Sequence, residues 1–337
     1  MHNADWMTKL PPHLRAMSIV YLAIPGSHNS MTYGISNHSK IAGDATKVMR
    51  YLYHVFPWFV RRWAKTQAAT VVEQLRLGVR YFDLRVCLKD DDFYYTHAVI
   101  SMDVTKPLYY IREFLSKQPG ETVILDFQHF YDMNAVDHMR LQKMLIQVFG
   151  DMLYKPSDGP LLKCTLNYCT KFRKQVIIVY RYNSNALHKD FWPSKSVYTP
   201  WPNVCSIKLL KEFLQHSLMS RPPTDGYVTQ VVLTPDAKYI SLRFYSRLKT
   251  TAKRVDRKMI PWISEQIPGP YTCRIPKVNI LIGDFIELNS AAFCNTIIQL
   301  NEKIQIDFTT QVECPEIRTG RIDHLDDSIY YDDFKEG

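Results

Sequence analysis

The stretch VNILIGDF, residues 278 to 285, carries the unbroken apolar run Ile280-Leu281-Ile282-Gly283 and then a carboxylate, Asp284. A strand wetted on one face alternates apolar with polar residues, whereas a strand covered on both faces is apolar at nearly every position. Further candidate strands, most of them equally continuous, are SIVYLAIP (18 to 25), VRYFDLRV (79 to 86), FYYTHAV (93 to 99), TVILDFQ (122 to 128), QVIIVYRY (175 to 182) and YVTQVVLT (227 to 234). Segments 105 to 117, 134 to 149, 206 to 219, 250 to 265 and 289 to 304 instead repeat apolar residues at helical spacing. Strand then helix, repeated, implies an α/β fold with a mainly parallel sheet, read here as a βα barrel.

The 337-residue chain shows no composition break, internal repeat or Gly/Ser linker, so one barrel domain is expected over residues 1 to 305. The remainder, 306 to 337, is polar and acidic and reads as a mobile tail. Hydrophobic residues make up 46% and aromatics 13%, enough for a sizeable core. Lys and Arg number 42 against 33 Asp and Glu, and the net charge of +9 favours an anionic partner such as phosphate, nucleic acid or an acidic membrane surface. The seven cysteines form neither a CxxC pair nor a zinc-ligand spacing and read as reduced, cytosolic thiols. The N-terminus lacks the pattern of a secretory signal, and no run of about 18 apolar residues occurs, so any membrane contact is expected to be peripheral.

The polar residues inside those apolar runs carry the functional signal. His28 and Asn29 close the first run in LAIPGSHNS. Asp83 and Arg85 lie two apart and share one face of their strand. His97 sits in the third run, and Gln128, Arg181 and Asp284 occupy the C-terminal ends of later ones. In a parallel barrel those ends open on the rim that holds the chemistry. Singly, each has a plain structural explanation; Asp83 with Arg85, for instance, reads as an ordinary buried ion pair. Together they are hard to explain by packing, because each costs desolvation unless paired. Two histidines and an arginine without a metal cluster suit in-line displacement at a phosphodiester. One imidazole takes a proton from the attacking hydroxyl, the other protonates the leaving oxygen, and a cation neutralises the phosphoryl oxygens. Asp284 suits the orienter of the base.

The blocks LAIPGSHNS, QLRLGVRYFDLRV, YYTHAV, ETVILDFQHFYDM and VNILIGDFIELN resemble, in order and spacing, the phosphatidylinositol-specific phospholipase C X-domain-containing proteins, small eukaryotic relatives of bacterial phosphatidylinositol phospholipase C. The resemblance implies a distorted TIM-like barrel of mainly parallel strands that cleaves inositol phospholipid to diacylglycerol and an inositol phosphate. It makes His28 the general base on the inositol 2-hydroxyl, Asp284 its partner, His97 the general acid and Arg85 the cation standing where calcium-dependent relatives hold their metal. Asp83 falls on a carboxylate position. Asn29 matches the amide calcium ligand of the large eukaryotic enzymes, at a position where the bacterial proteins and many small relatives carry an aspartate that helps the acid. Gln128 stands where others have a carboxylate or a substrate-contacting lysine, and Arg181 matches an arginine that touches inositol. Arg181 also has a reading as a buried ion-pair partner. With Arg85 and Gln128 at two ligand positions, no calcium and no other cofactor is expected.

Residues 45 to 67 mix Phe56, Trp58, Phe59 and Trp63 with Arg61, Arg62 and Lys65, a composition suited to a lipid interface and equally to a core helix bent at Pro57. The expected partners are therefore an inositol phospholipid and an anionic membrane surface, with no nucleic acid, and the expected place of action is cytoplasmic with transient membrane contact. Two rival functions remain: a catalytically weak or inactive inositol-lipid-binding module, supported by Asn29, and a metal-dependent glycerophosphodiester phosphodiesterase, whose carboxylate cluster Arg85 and Gln128 replace.

Overall fold

The computed structural model describes residues 3 to 182, 187 to 270 and 276 to 304, so the acidic tail expected over 306 to 337 lies outside the described residues. The strands are β1 Ile24–Ser27, β2 Tyr81–Lys89, β3 Asp92–His97, β4 Val99–Asp103, β5 Val123–Tyr131, β6 Val176–Tyr180, β7 Val197–Tyr198, β8 Gly226–Gln230 and β9 Ile280–Gly283. The helices are α1 Pro12–Arg15, α2 Lys47–Val55, α3 Pro57–Ala64, α4 Val71–Leu77, α5 Thr105–Lys117, α6 Ala135–Phe149, α7 Leu166–Phe172, α8 Ile207–Met219, α9 Ala237–Ser241, α10 Leu248–Glu265 and α11 Leu288–Leu300.

Seven strands pair in parallel in the order β7, β8, β9, β1, β2, β5, β6. They curve into a TIM-like barrel that hydrogen bonds do not close, since no strand ladder joins β6 to β7 among the described residues. Across that gap Trp192 bridges to Val179, and the Arg181 guanidinium donates to the carbonyls of Ser194 and Val197 at 3.3 and 2.7 Å.

Two expected strands differ in kind. FYYTHAV does not join the parallel set: β3 runs antiparallel to β2, and β4 antiparallel to β3. Asp90 and Asp91, with φ of 50° and 68°, make the short loop between them, and a two-residue loop with two positive φ values joins antiparallel neighbours only. The run 18 to 25 is buried, yet only its end is strand. Residues Ile19–Tyr21 form a 3₁₀ turn, because the Asn279 amide donates to the carbonyls of Ile19 and Leu22 at 3.1 and 2.8 Å. Apolar continuity reports burial, and here a side chain satisfies the backbone that a ladder would otherwise satisfy.

Alternation along each strand explains the continuous runs. Phe82, Leu84, Val86, Leu125, Phe127, Ile178 and Leu281 face outward onto Leu108 and Ile111 of α5, Leu141 and Leu145 of α6, Val255 of α10 and Ile297 of α11. Ile24, Tyr81, Ile124, Ile177, Val228, Ile280 and Ile282 fill the interior. Gly26 lies in that interior, where a Cβ would sit 2.8 Å from Ile282 Cγ2 and 2.9 Å from Tyr81 Cδ1. Only glycine lets β1 lie this close to its neighbours' side chains.

Beneath the barrel Arg80 and Glu121 are fully buried. Arg80 Nε and Nη2 donate to Glu121 Oε2 at 3.0 and 2.8 Å, while Nη1 and Nη2 also reach the carbonyls of Leu75, Val79 and Ala4. Glu121 accepts in addition from the Thr8 amide and hydroxyl, so the pair fastens the N-terminal segment to the bottom of the barrel. Removing one partner of a buried pair strands the other charge, so Arg80→Met should cost about 3–5 kcal/mol in urea unfolding. A loss below about 1 kcal/mol would show that the pair does not fasten this end.

Candidate active site

His28 is the first residue past β1, and its amide donates to the Gly283 carbonyl of β9 at 3.1 Å. Its Nδ1–H donates to Asp284 Oδ1 at 2.7 Å. That acceptor fixes the tautomer and leaves the Nε2 lone pair facing the barrel mouth, where the Asn29 amide donates to it at 3.1 Å. Asp83 Oδ2 lies 3.9 Å from the same nitrogen and accepts the Asn29 backbone N–H at 3.1 Å. The strand register causes this meeting. Gly26 stands opposite both Tyr81 and Ile282, so the residues two further along, His28, Asp83 and Asp284, emerge in one layer.

The chain just past α3 clamps that layer. The fully buried Gln67 donates to the carbonyls of His28 and Gly283, both at 2.9 Å, and accepts from the Ile286 amide at 3.3 Å. Thr66 Oγ1 donates to the carbonyls of His28 and Asn29 at 3.0 and 3.1 Å. The Ala64 carbonyl accepts Nδ1–H of His97 at 2.7 Å, which leaves His97 Nε2 for the mouth. The rings of His28 and His97 stand 6.2 Å apart, centroid to centroid. Arg85 Nε lies 3.9 Å from Asp83 Oδ1. Those two atoms and Asn29 Oδ1 are buried without a hydrogen-bond partner among the described residues.

Each of the three residues that would move or orient protons is followed by a left-handed residue: Asn29 at φ 41°, Ala98 at 56° and Phe285 at 49°. A non-glycine residue in that conformation costs roughly 1–3 kcal/mol, so the surrounding hydrogen bonds hold these turns. For His97, burial first, then Arg85, pushes the pKa down to about 4, against the opposing pull of the Ala64 carbonyl and Asp44. Burial would raise the Asp83 carboxyl, but Arg85, His28 and the Asn29 amide outweigh it and hold the group below the usual carboxylate range. On α10 Asp256, whose Oδ2 has no hydrogen-bond partner among the described residues, is pushed up to about 7 by burial and then by Asp284 and Glu287.

The structure thus brings together His28, Asn29, Asp83, Arg85, His97 and Asp284. His97 arrives by a route the parallel reading did not foresee, down the returning strand of a hairpin. Gln128 and Arg181, expected to touch substrate, are turned to another partner. Arg181 Nε and Nη2 bind Asp126 at 2.8 Å each, and Gln128 donates to Tyr81 Oη at 3.0 Å and to Asp126 at 3.2 Å. The buried Asp126 collects these donors because an unpaired carboxylate inside the barrel would be costly. Arg181 thus makes the buried ion pair of its alternative reading, and Gln128 hydrogen-bonds to the same carboxylate. With Arg85 beside Asp83 and the Gln128 amide drawn away, Asn29 and Asp83 are a poor oxygen set for calcium, which takes six to eight.

His129 escaped the sequence reading. A bulge between Leu84 and Arg85 inserts Gln128 as an extra residue, so His129 rather than Gln128 stands opposite Arg85. The residue is exposed, and desolvation by the groups around the ring, then Arg85, lowers its pKa from the ordinary imidazole value. No alternation pattern reveals a bulge. Of the expected interface residues, Trp58 is exposed, whereas Trp63 is buried with Phe59 and Tyr239. Lys65 Nζ donates inward to the carbonyls of Tyr33 and Ile35 at 3.0 and 3.3 Å. Arg61 is held by the Ser39 carbonyl and the Tyr53 hydroxyl, and Arg62 by the carbonyls of Phe244 and Ser246 while stacked on Trp58. The composition that suggested a lipid surface belongs largely to the packing of α3.

The fold is that of the bacterial phosphatidylinositol-specific phospholipase C barrels. The Listeria monocytogenes protein of that name superposes with a TM-score of 0.58 at 19% identity, covering 89% of this chain and 99% of its own. The Staphylococcus aureus protein superposes with 0.63 at 14%, covering 90% and 98%. In sequence, the family model for the phosphatidylinositol-specific phospholipase C X domain matches residues 58–182. That span holds Asp83, Arg85 and His97, while His28 and Asp284 flank it. PI-PLC X domain-containing protein 2 of Mus musculus is 34% identical over 311 residues, 90% of this chain and 89% of its own. PI-PLC X domain-containing protein 3 of Danio rerio is 35% identical over 312 residues, 89% and 94%. The chain belongs to the PI-PLC X domain-containing protein family.

The depressed His97 pKa has a consequence for stability. In the unfolded chain a histidine binds a proton below about pH 6.5; in the fold His97 stays neutral down to about 4. The unfolded state therefore holds more protons between those values, and stability falls on acidification through that window, by at most about 1.4 kcal/mol per pH unit for one group. Urea unfolding at pH 7 and pH 5 should show His97→Gln losing less stability on acidification than the parent chain. Equal losses would mean that the ring titrates normally in the fold.

Proposed function

We propose that the chain cleaves phosphatidylinositol-type lipids at the glycerol phosphodiester, releasing diacylglycerol and an inositol phosphate. The observation that carries this reading is the oriented His28–Asp284 pair facing His97 across 6.2 Å with Arg85 beside them. A phosphodiester placed between the rings has its headgroup hydroxyl at His28 Nε2, displacing the Asn29 amide. His28 takes the hydroxyl proton, and Asp284 steadies the imidazolium that forms. The oxygen attacks phosphorus, the bond to the glycerol oxygen breaks, and His97 Nε2 delivers the proton that oxygen needs. Arg85, whose Nε has no partner among the described residues, neutralises the phosphoryl charge. The substrate anion also offsets Arg85 at His97 and restores the protonated acid.

The supporting assay is turnover of phosphatidylinositol vesicles with and without chelator. His28→Ala and His97→Ala should each lose about 100-fold to 10,000-fold, the usual worth of a general acid or base. Chelator should change nothing, because Arg85 is the cation. Turnover that survives either substitution would remove the assigned roles, and loss in chelator restored by micromolar calcium would make Asn29 and Asp83 ligands. Binding of inositol-lipid vesicles without turnover would favour the non-catalytic module, a reading that the neutral His97 supports.

We further propose that the membrane-facing surface is an aromatic ridge rather than the cations of α3. Tyr51 and Val55 of α2, Phe56, Trp58, Leu242 and Tyr245 are all exposed, Tyr245 at 93%. Phe244 stacks on Phe59 at 4.7 Å and meets Trp58 edge-on at 5.9 Å, joining the 242 to 246 turn to α3. The described helices include none long and apolar enough to cross a membrane, so such a ridge would bind at the headgroup layer. Trp58→Ala with Tyr245→Ala should weaken binding to anionic vesicles at least about tenfold, or ~1.4 kcal/mol, with soluble short-chain substrate turned over as before. Unchanged vesicle binding would end this assignment.

A further inference from the structure

The segment ahead of α2 lies along the corner where β3 turns into β4. Ala42 donates its amide to the Ala98 carbonyl at 3.0 Å, Ile100 donates to the Lys40 carbonyl at 2.9 Å, and Ile41 bridges to Val99. From this segment the half-buried Asp44 reaches around His97. Its Oδ2 accepts the Ala98 amide at 2.6 Å and its Oδ1 accepts the Thr96 hydroxyl at 3.0 Å. One carboxylate thus grips the residues on both sides of the ring, and one of them, Ala98, is in the left-handed region.

We propose that Asp44 is the positioning residue of the acid: its carboxylate holds the corner that presents His97 Nε2 to the leaving oxygen, and its negative charge favours the protonated ring. This rests on the reading of His97 as general acid. A corner of this shape needs an acceptor for the Ala98 amide, but a neutral amide side chain would serve that purpose at less desolvation cost. The charge is the feature left to explain. The groups that face His97 are Arg85 from β2, His28 beyond β1, His129 from β5, the Ala64 carbonyl from α3, and Asp44. Arg85 and His28 favour the neutral ring, while Ala64 and Asp44 favour the charged one. Asn29 is neutral and is occupied at His28, so it supplies no such charge. The proton balance of the reaction is unchanged, because Asp44 keeps its own charge throughout while His97 gives its proton to the glycerol oxygen.

Asp44→Asn separates charge from scaffold. The amide oxygen still accepts from Ala98, and the amide nitrogen can donate to the Thr96 hydroxyl, so the thermal midpoint should hold. The His97 imidazole, followed by NMR titration, should titrate lower than in the parent chain. Turnover of phosphatidylinositol near neutral pH should fall about three- to tenfold, one pKa unit being a factor of ten in the protonated fraction. Nitrophenyl inositol phosphate, whose leaving group needs no proton, should react as before. Thr96→Val, which removes one hydrogen bond and keeps the charge, should leave the His97 titration near that of the parent chain. An unshifted His97 titration in Asp44→Asn, or equal losses on both substrates, would overturn the proposal. If the parent chain turns over neither substrate, the reading as an enzyme fails, and the titration still decides whether Asp44 governs the ring.

Discussion

The site depends on β1 being held between β2 and β9 in one register, with Gly26 opposite Tyr81 on one side and Ile282 on the other. The interior at that level is packed so closely that the middle strand carries no side chain. Two residues further the packing ends, and the same alternation that pointed apolar groups inward now points His28, Asp83 and Asp284 into the mouth. A slip of one residue in β1 would turn His28 to the helix layer and put Ser27 in its place.

Around that register the polar groups form two tiers. In the lower one Asp126 gathers Tyr81, Gln128 and Arg181 and lets the barrel carry charge without an unpaired group. In the upper one Asp83 and Arg85 stand 3.9 Å apart, near enough for Arg85 to hold the Asp83 carboxyl below its usual range, while Asp83 Oδ1 and Arg85 Nε have no hydrogen-bond partner among the described residues. Under the proposed function, preorganised charge at the reacting centre is the larger part of catalysis, and the upper tier is the one left open.

The residues from Ala64 to Gln67 connect this machinery to the outer surface. They form the end of α3 and the chain just past it, and they bind His97, His28, Asn29 and the end of β9. The face of α2 and α3 that exposes Trp58 is therefore joined, within a few residues of chain, to both imidazoles.

The sequence by itself determined the α/β class, because strands covered on both faces must be apolar throughout. It also determined the meeting of His28, Asp83, Arg85 and Asp284, because a period of two and a common rim follow from parallel strands alone. Tertiary structure decided what depends on partners distant in sequence. The direction of β3 turned on two positive φ values at Asp90 and Asp91. The bulge at Gln128 brought His129 into the cleft, and Asp126 took the side chains of Arg181 and Gln128 away from it. Trp63 and Lys65 look like interface residues in the sequence, but Trp63 is buried with Phe59 and Tyr239, and Lys65 is satisfied by the carbonyls of Tyr33 and Ile35. Asp44 lies in a segment with no periodic signal, and only the hairpin corner, 54 positions further along the chain, gives its carboxylate something to hold. Local pattern fixes which face a side chain takes, while the partner it finds there depends on packing between segments that the pattern does not relate.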